Sequence, residues 1–507
     1  MMIIMHRDSK KIAISLFIII SFTFTLWYFF LWPREDGGVK CKDCNLIMIS
    51  LSNVSAEHMS LYGYERLTTP NLDEWAKDAV VFENAFTQTS WTLPAATSLF
   101  TSLYPYSHKI MNRFTDNFLD ENIQTLPELL SAQGYKTAAF VGGLDYSNSF
   151  GHMRGFGDFE EAMQEDVLAI SFSGFGPTLA KGLEWLEENP EEKFFLFLHG
   201  YDAHCPFDPP AAFKGTFSNA AGKDITVDHK LCLRGFKDSE NENYEAYYYR
   251  EGTKKKVTMT KNDITYLEDL YDEEVLSVDA LVGSFLNNLD KTTADNTIVI
   301  VFSDHGEMFA KHGRFGRAGG VRGTLYDEVV HIPMIMKIPK QNGKRISGLL
   351  QMIDVMPSLL DILGLKQPEG LQGKNAAPLI AGEIQEINDY VFAGSEFGIE
   401  EGRLTWPAYT TQSVNESLRS KGWKLIYEAE LDEKGKIAAE TYELYNLNDD
   451  PDELHNLTDK EPVEAARFKK ILKNWASSAK SYDAETLSVP QLLPPEIIES
   501  SKEHGYW

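Results

Sequence analysis

The sequence predicts an α/β fold in which helices flank a large, mostly parallel central sheet, with a small α+β subdomain at the C-terminal end. Residues 45–51 and 296–302 are nearly continuous apolar runs, the composition of strands that are buried on both faces. Between them, segments with helical periodicity alternate with further apolar runs, as in βαβ units. These two observations favour a layered domain around one sheet.

The remaining elements follow the same alternation. Further strands are expected at 137–141 and 193–198, and helices at 70–79, 126–133, 177–188, 262–289 and 353–363. The strand at 296–302 breaks at once into Ser303-Asp304-His305-Gly306. Polar residues at the carboxyl end of a strand lie where open α/β sheets carry their binding sites. This motif is therefore the first candidate for a functional site.

Shifts in composition predict the domain boundaries. A main domain at 45–382 follows a linker at 33–44, and the loss of periodicity at 210–260 indicates an insertion or lid. Strand patterns at 422–427 and 441–445, separated by a Lys-Gly turn signal, precede a helix at 463–480. We therefore expect a C-terminal subdomain at 383–485 and a tail at 486–507.

Length, charge and cysteine content limit the classes of protein. A chain of 507 residues exceeds the roughly 300 residues at which domains divide, so two domains are expected. The net charge of −27 repels polyanions, so nucleic acid is excluded as a partner. Four cysteines are too few for a disulfide-built scaffold. Cys41 and Cys44 are an incidental pair or a local disulfide, because a redox motif or zinc site needs a different context.

An uncharged apolar segment lies near the N-terminus, at residues 12–32. About 20 apolar residues suffice for a helix to cross a bilayer. Basic residues precede the segment and acidic residues follow it, which places residues 1–11 in the cytoplasm and the main domain on the extracytoplasmic side. Bulky aromatic residues stand where a cleavage site would lie, which favours an uncleaved anchor over a removed signal peptide. The expectation is a single-pass membrane protein.

Seven segments, in chain order, resemble the sulfatase branch of the alkaline-phosphatase superfamily. They are NLIMISLSNVSAEHMSLYGYERLTTPNLDEWAKDAVVFENAF, SWTLPAATSLFTSLYP, FFLFLHGYDAHCPFDPP, TIVIVFSDHGEMFAKHG, GTLYDEVVHIPMIM, DVMPSLLDILGL and ELYNLNDDPDELHNL. The resemblance runs from Asn45 to about Leu457. It implies a sulfuric ester hydrolase that cleaves sulfate or phosphate esters at a divalent-metal site, with a nucleophile and positive charge around the ester oxygens.

The resemblance assigns metal ligands to two strand ends. Asp304 and His305 match the second pair of ligands of the family, although such residues can also simply cap the next turn. Ser52 and Asn53 stand where the family has acidic first ligands, so the affinity for a hard cation is expected to be lower. The implied ion is Ca²⁺, with Mg²⁺, Mn²⁺ and Zn²⁺ left open.

The resemblance also assigns the nucleophile. Thr92 in WTLP coincides with the residue that the family converts to formylglycine within CxPSR. No formylglycine is expected, because the serine and arginine of that motif are Ala95 and Ala96 here. A threonine hydroxyl becomes a nucleophile when a metal or base lowers its proton affinity. The alternative is that Thr92 caps a helix that begins at Pro94.

Two further residues are implied by position. His204 matches the family histidine at the leaving group and would act as a general acid, although a histidine held by backbone in a loop is an alternative. Arg322, ahead of GTLYDE, could bind ester oxygens with its guanidinium group, or could be an ordinary surface arginine. The substrate would be an anionic ester, in a sulfated or phosphorylated glycan, lipid or small molecule.

Several positions depart from the family pattern. Where arylsulfatases grip sulfate with a lysine and a histidine, this sequence has Gly143 and Asp145. Together with Ser52 and Ala96, these residues motivate a second hypothesis, a catalytically impaired binding or assembly protein of the same fold. A phospho-group transferase or phosphodiesterase of the superfamily also stays open.

Overall fold

The computed structural model describes residues 38–111, 118–161, 174–190, 192–219, 224–237, 242–250, 253–289, 291–316, 324–397, 412–432, 434 and 436–482. The strands, in chain order, are β1 Asn45–Leu51, β2 Val80–Phe86, β3 Lys136–Val141, β4 Asp158–Glu161, β5 Phe194–Gly200, β6 Arg234–Lys237, β7 Tyr244–Arg250, β8 Thr253–Met259, β9 Thr297–Phe302, β10 Arg314–Phe315, β11 His331–Ile332, β12 Met334–Lys337, β13 Lys344–Gln351, β14 Val391–Phe397, β15 Gln412–Arg419, β16 Trp423–Leu431 and β17 Ile437–Asn446. The helices are α1 Pro70–Trp75, α2 Thr92–Thr101, α3 Pro105–His108, α4 Leu126–Ala132, α5 Phe175–Glu188, α6 Lys261–Asn288, α7 Lys291–Asp295, α8 Asp327–Val330, α9 Val355–Ile362, α10 Ala377–Ala381 and α11 Pro462–Lys480.

A mostly parallel sheet forms the centre of the molecule. In the described part of the chain it has nine strands, eight of them in the order β11-β2-β12-β9-β1-β5-β3-β4, with β13 paired to β2. Strand β1 lies between β5 and β9 and is parallel to both. Strand β12 is antiparallel to β2 and β9, so the parallel run ends at that side. The predicted α/β class is confirmed.

Both faces of the sheet are covered, as the continuous apolar strands predicted. Along β1, Leu46 and Met48 pack into one core with α2 and α9, whereas Ile47 and Ile49 pack into a second core with α5 and α6. All four side chains are fully buried. Because successive side chains of a strand point to opposite faces, a strand that is covered on both faces is mostly apolar.

The insertion at 210–260 has more regular structure than its composition predicted. Strands β6, β7 and β8 form an antiparallel sheet with β10 in the described residues. The segments YEAYYYR and TKKKVTM are rich in tyrosine and lysine, so composition does not mark them as strands, although Tyr244, Ala246 and Met259 pack into the core. A disulfide between Cys205 and Cys232 fastens the insertion to the main domain. Cys41 and Cys44 also form a disulfide, the local pairing that the sequence left open.

The C-terminal part is an antiparallel sheet that carries one long helix. Strands β14 to β17 pair in sequence order, and α11 packs on one face of this sheet. The predicted hairpin is therefore present as β16 and β17. A buried cation joins the two parts: Lys424 Nζ lies 2.6 Å from Asp327 Oδ1 and 2.8 Å from Glu453 Oε1. Arg419 Nε contacts the other oxygen of Asp327 at 2.8 Å.

The expectation of a single-pass membrane protein requires correction. Within the residues that the structure describes, no helix combines the length and the apolar character needed to cross a bilayer. The segment at 12–32 on which the expectation was based lies outside the described residues, as do residues 1–11 and the tail at 486–507. The predicted membrane anchor and its topology are therefore withdrawn.

Candidate functional site

Two adjacent strand ends meet at the candidate site. Strands β1 and β9 are parallel neighbours, so Ser52-Asn53 and Asp304-His305 leave the sheet side by side. The backbone N–H of Asn53 donates to Asp304 Oδ1 at 3.0 Å. Asn53 has φ 64°, a left-handed conformation that asparagine tolerates better than most residues. The four predicted metal-ligand positions therefore lie at one edge of the sheet, and all are buried.

Thr92 reaches the same place from α2. It is the first residue of that helix, and the side chain of Trp91, at the N-cap position, makes no capping hydrogen bond to the helix. Instead of capping the helix, the Thr92 hydroxyl lies 3.2 Å from Nε2 of His305. The predicted alternative of a cap for a helix beginning at Pro94 is therefore not what the structure shows.

The hydrogen bonds of His305 define its tautomer. Nδ1 lies 2.9 Å from the carbonyl oxygen of Gly306, which can only accept, so Nδ1 carries the proton. In the neutral ring Nε2 is then the acceptor, and it faces the hydroxyl of Thr92. A hydroxyl, an imidazole and a group that orients the imidazole are the parts of an activated nucleophile.

Asp304 remains charged although it is buried. Burial by itself would raise the pKa of this carboxyl, but the rings of His305 and His199 and the hydrogen bond from the backbone amide of Asn53 lower it below its ordinary value. Asp304 Oδ2 lies 3.5 Å from His305 Nε2. The carboxylate is thus available as an anionic ligand or as a partner for a positive charge.

Several buried polar atoms around the site lack a hydrogen-bond partner in the described residues. They include Oδ2 of Asp304, Oγ of Ser52 and both ring nitrogens of His199. Buried polar groups without partners are rare in folded proteins and indicate a place for an ion, a water or a ligand group. Burial lowers the pKa of His199 to about 4, so this ring is neutral and able to act as an acceptor.

Asn53 is held from two sides by contacts that sequence reasoning missed. Its Nδ2 donates to the carbonyl of Ala203 at 3.0 Å and to Glu307 Oε2 at 3.1 Å. The amide nitrogen is committed to these acceptors, so the amide oxygen is the atom that could act as a ligand. Glu307 follows His305 by two residues in the same motif, which is the signal that could have identified it.

His199 lies at the same site and was also not identified from the sequence. It is the penultimate residue of β5, directly opposite Ser50 of β1, and its ring lies 4.2 Å, centroid to centroid, from the ring of Tyr146. The hydroxyls of Tyr146 and Ser50 are 3.2 Å apart. The register of two adjacent buried strands could have placed His199 at the site, because Ser50 precedes Ser52 by two residues.

His204 lies beside the site on the loop after β5. Its ring stacks on Tyr201 with centroids 4.3 Å apart, and Nδ1 lies 2.7 Å from the carbonyl oxygen of Cys205. The preceding residue, Ala203, accepts the hydrogen bond from Asn53, which connects this loop to the β1 end. Arg322 lies outside the described residues.

Gly143 cannot be exchanged for the lysine of the family pattern without rearrangement. It has φ 84°, and a Cβ there would lie 2.9 Å from Cδ2 of Tyr201. Positive φ and a neighbouring ring both exclude a larger residue. Asp145, at the position of the family histidine, is buried. Gly143 thus supports the ring on which His204 stacks.

The donor set fits a divalent cation of modest affinity. Asp304 offers one carboxylate oxygen, Ser52 and Asn53 offer neutral oxygens, and His305 offers Nε2. Hard cations take oxygen ligands, and their affinity rises with the number of anionic ligands, which is one here. The partnerless oxygens of Asp304 and Ser52 are consistent with such an ion.

Comparison with known proteins defines the family. The family model described as Sulfatase matches residues 44–365. The chain belongs to the sulfatase family. The model for the C-terminal part of N-sulphoglucosamine sulphohydrolase matches residues 320–478, which covers the C-terminal sheet and α11 of this sulfatase-family chain. Members of the family generally depend on a metal ion.

Individual relatives agree with this assignment. This sulfatase-family chain is 26% identical to an N-acetylglucosamine-6-O-sulfatase of Bacteroides thetaiotaomicron, across 89% of the chain and 88% of the relative. A 2-O GAG sulfatase structure matches with a TM-score of 0.64 at 19% identity, covering 89% of this chain and 99% of that one. The phosphonate monoester hydrolase of Agrobacterium radiobacter matches with a TM-score of 0.64 at 19% identity, covering 88% and 97%. These structures share the alkaline-phosphatase-like fold.

Proposed function

We propose that this protein hydrolyses sulfate or phosphate esters, with Thr92 as the nucleophile beside a divalent-metal site that includes Asp304 and His305. The hydrogen bond between Thr92 and His305 is the observation that carries the proposal. It unites a hydroxyl, an acceptor nitrogen and a buried carboxylate at the carboxyl end of the parallel sheet. This combination suits attack on an ester of a strong acid.

Thr92, His305 and His204 carry out the steps of the proposed reaction. The Thr92 oxygen attacks the sulfur or phosphorus atom and its proton passes to His305, whose Nδ1 is held by the Gly306 carbonyl. The bond to the leaving oxygen breaks, and His204 supplies the proton that this oxygen needs. Water then cleaves the threonine ester: its oxygen joins the sulfur or phosphorus atom, the Thr92 oxygen regains its proton from His305, and a proton of the water restores His204.

The metal site would be held by Asp304, His305, Ser52 and Asn53. A divalent cation there would supply positive charge to the equatorial oxygens of the ester. Calcium is the ion that the family resemblance favours, with Mg²⁺, Mn²⁺ and Zn²⁺ as alternatives. Because the Nε2 lone pair of His305 cannot bind an ion and accept the Thr92 proton at once, Asp304, Ser52 and Asn53 would hold the cation while His305 accepts that proton.

The proposed substrate is an anionic ester carried by a glycan. The relative from Bacteroides thetaiotaomicron acts, by its name, on 6-O-sulfated N-acetylglucosamine. A sulfated or phosphorylated lipid or small molecule would present the same reacting group.

Turnover of aryl sulfate, aryl phosphate and aryl phosphonate monoesters tests the proposal. The purified chain is assayed with each of the four divalent ions, beside Thr92→Ala and Thr97→Ala. Thr97 is a matched control, because it is buried in the same helix but its hydroxyl donates to the Leu93 carbonyl. The proposal requires that Thr92→Ala abolish turnover and that Thr97→Ala retain it. Equal turnover by Thr92→Ala and the wild type would remove Thr92 from the mechanism.

A second candidate function is a binding or assembly role without catalysis. Gly143 packed against Tyr201, and the buried Asp145, favour it, because neither can bind a sulfate group as the family's lysine and histidine do. This candidate predicts no turnover of any of the three esters, with a folded chain and an unchanged melting temperature in Thr92→Ala.

A further inference from the structure

The C-terminal sheet has two faces of opposite character. On one face Leu418, Leu425 and Leu444 pack against α11. On the other face lie Asn415, Glu428 and Thr441, which are directly opposite one another on β15, β16 and β17. A sheet covered on one side normally turns its polar side to water. Here the polar side also faces β10, whose Arg314 is bound by Glu428 through two hydrogen bonds of 2.6 and 2.7 Å.

A cleft of about 220 Å³ lies between Arg314 and this polar face. Its volume is below the roughly 300 to 1,000 Å³ of pockets that hold drug-sized ligands, so it suits a group as small as one sugar ring. Besides Arg314, the lining includes Ser413, Asn415, Thr441 and four glutamates, which are Glu428, Glu430, Glu440 and Glu443.

Asn415 is the feature that indicates a ligand. It is 1% exposed, and neither Oδ1 nor Nδ2 of its amide has a hydrogen-bond partner in the described residues. An amide buried in this way costs free energy unless something binds it. Because Asn415 lines the cleft, a ligand with both donors and acceptors would satisfy it.

The charge of the cleft restricts the ligand. Of the four glutamates in the described lining, Glu440 lies on the opposite face of the sheet, and the other three oppose a single Arg314 that is already paired with Glu428. Tyr326 and Tyr445 donate to Glu443, but neutral hydroxyls leave its charge in place. A sulfated or phosphorylated group would be repelled here, whereas an ammonium group would be attracted.

A bare metal ion does not fit this cleft. In the part of the chain that the structure describes, no three carboxylates or imidazoles of this region bring ligand atoms within 4.8 Å of one another. The carboxylates are instead spread around the cleft, at a spacing that suits a larger ligand with several polar groups.

We propose that this cleft binds an amine-bearing, hydroxylated ligand of the size of one hexosamine ring. The ammonium group lies among the glutamates, and the ring hydroxyls bind the amide of Asn415 and the hydroxyls of Ser413 and Thr441. The inference is independent of the proposed function, because Thr92 and Asp304 are not part of the cleft.

Saturation-transfer NMR with the full chain tests the proposal. The probes are glucosamine, glucose, which replaces the amine with a hydroxyl, and ethylammonium, which carries the charge without the ring. We expect glucosamine to bind at least tenfold more tightly than either control. Equal affinity for glucose would overturn the role of the amine, and equal affinity for ethylammonium would overturn the role of the ring.

Variants locate the binding. Asn415→Leu and Glu430→Gln should each weaken glucosamine binding at least fivefold. Glu430 lines the cleft on the same face of the sheet as Asn415, and its change to glutamine removes the charge but keeps the shape of the side chain. Asp304→Asn should leave glucosamine binding unchanged even where it abolishes ester turnover. Loss of binding in Asp304→Asn, or full binding in Glu430→Gln, would contradict the assignment to this cleft.

Discussion

The hydroxyl of Thr92 and Nε2 of His305 lie 3.2 Å apart although 213 positions separate them in the chain. Thr92 is the first residue of α2, and His305 follows β9, the parallel neighbour of β1. The contact forms because the start of α2 lies next to the end of β9. It places a potential nucleophile against the motif that supplies the acceptor nitrogen. The chemistry proposed for this chain depends on this pair, whereas the fold does not.

The first prediction concerns Gly143. Gly143→Ala should lower the free energy of unfolding by about 2–3 kcal/mol, because it adds the strain of positive φ to a contact with Tyr201. Gly63→Ala is the matched control: Gly63 also has positive φ, but a Cβ there meets no atom within 4 Å. Gly63→Ala should therefore lower the free energy of unfolding by only about 1 kcal/mol. Chemical denaturation measures the free energy of unfolding of both variants. Equal decreases would show that the ring of Tyr201 does not disfavour a side chain at position 143.

A second prediction concerns the buried cation between the two parts of the chain. Lys424→Met should destabilise the protein by about 3–5 kcal/mol, because Asp327 and Glu453 would stay buried without this partner. Lys421→Met removes an exposed lysine that pairs with Glu386, and should change stability by less than about 1 kcal/mol. Denaturant midpoints of the two variants should differ accordingly; similar midpoints would mean that Lys424 is not needed to offset the buried carboxylates.

The same cluster predicts a pH dependence. Burial raises the pKa of Glu453 to about 7, despite the opposing charge of Lys424, so the folded protein binds a proton that the unfolded chain has lost. The contribution of Glu453 to the free energy of unfolding is fully present at pH values below its ordinary pKa, and it is lost as the pH rises toward about 7. Glu453→Gln should make this decline shallower; the part that persists comes from other buried carboxyls whose pKa values burial also raises, such as Glu328 and Asp354. The melting temperatures of the wild type and the variant are measured from pH 4.5 to 8. If melting temperature fell equally steeply with pH in both proteins, Glu453 would make no contribution to the decline.

Much of the fold could be predicted because its strands are buried. Strands β1 and β9 are nearly continuous apolar runs, interrupted only by Ser50 in β1 and begun by Asn45 and Thr297, so their type and approximate bounds follow from composition. Strands β7 and β8 escaped prediction because tyrosines and lysines dominate them. Strands β14 and β15 likewise mix apolar residues with serines, asparagine and glutamates.

The candidate site could be predicted only where a motif marked it. Asp304 and His305 follow a strand directly, and Thr92 was placed by family resemblance. The motif could have indicated Glu307 and the strand register His199, but their contacts with Asn53 and Tyr146 depend on the folded structure and cannot be read from the sequence. The acceptor state of His305 likewise depends on its hydrogen bond to Gly306.

Binding of a divalent ion at the strand ends is the claim that a single measurement tests most directly. Thermal unfolding of the wild type and of Asp304→Asn is followed with Ca²⁺, Mg²⁺, Mn²⁺ and Zn²⁺. An ion that binds only the folded state adds about 2.7 kcal/mol of stability at 100 times its dissociation constant. We predict that at least one ion raises the melting temperature of the wild type and leaves Asp304→Asn unchanged. No rise with any of the four ions at millimolar concentration, or an equal rise in the variant, would contradict the metal site.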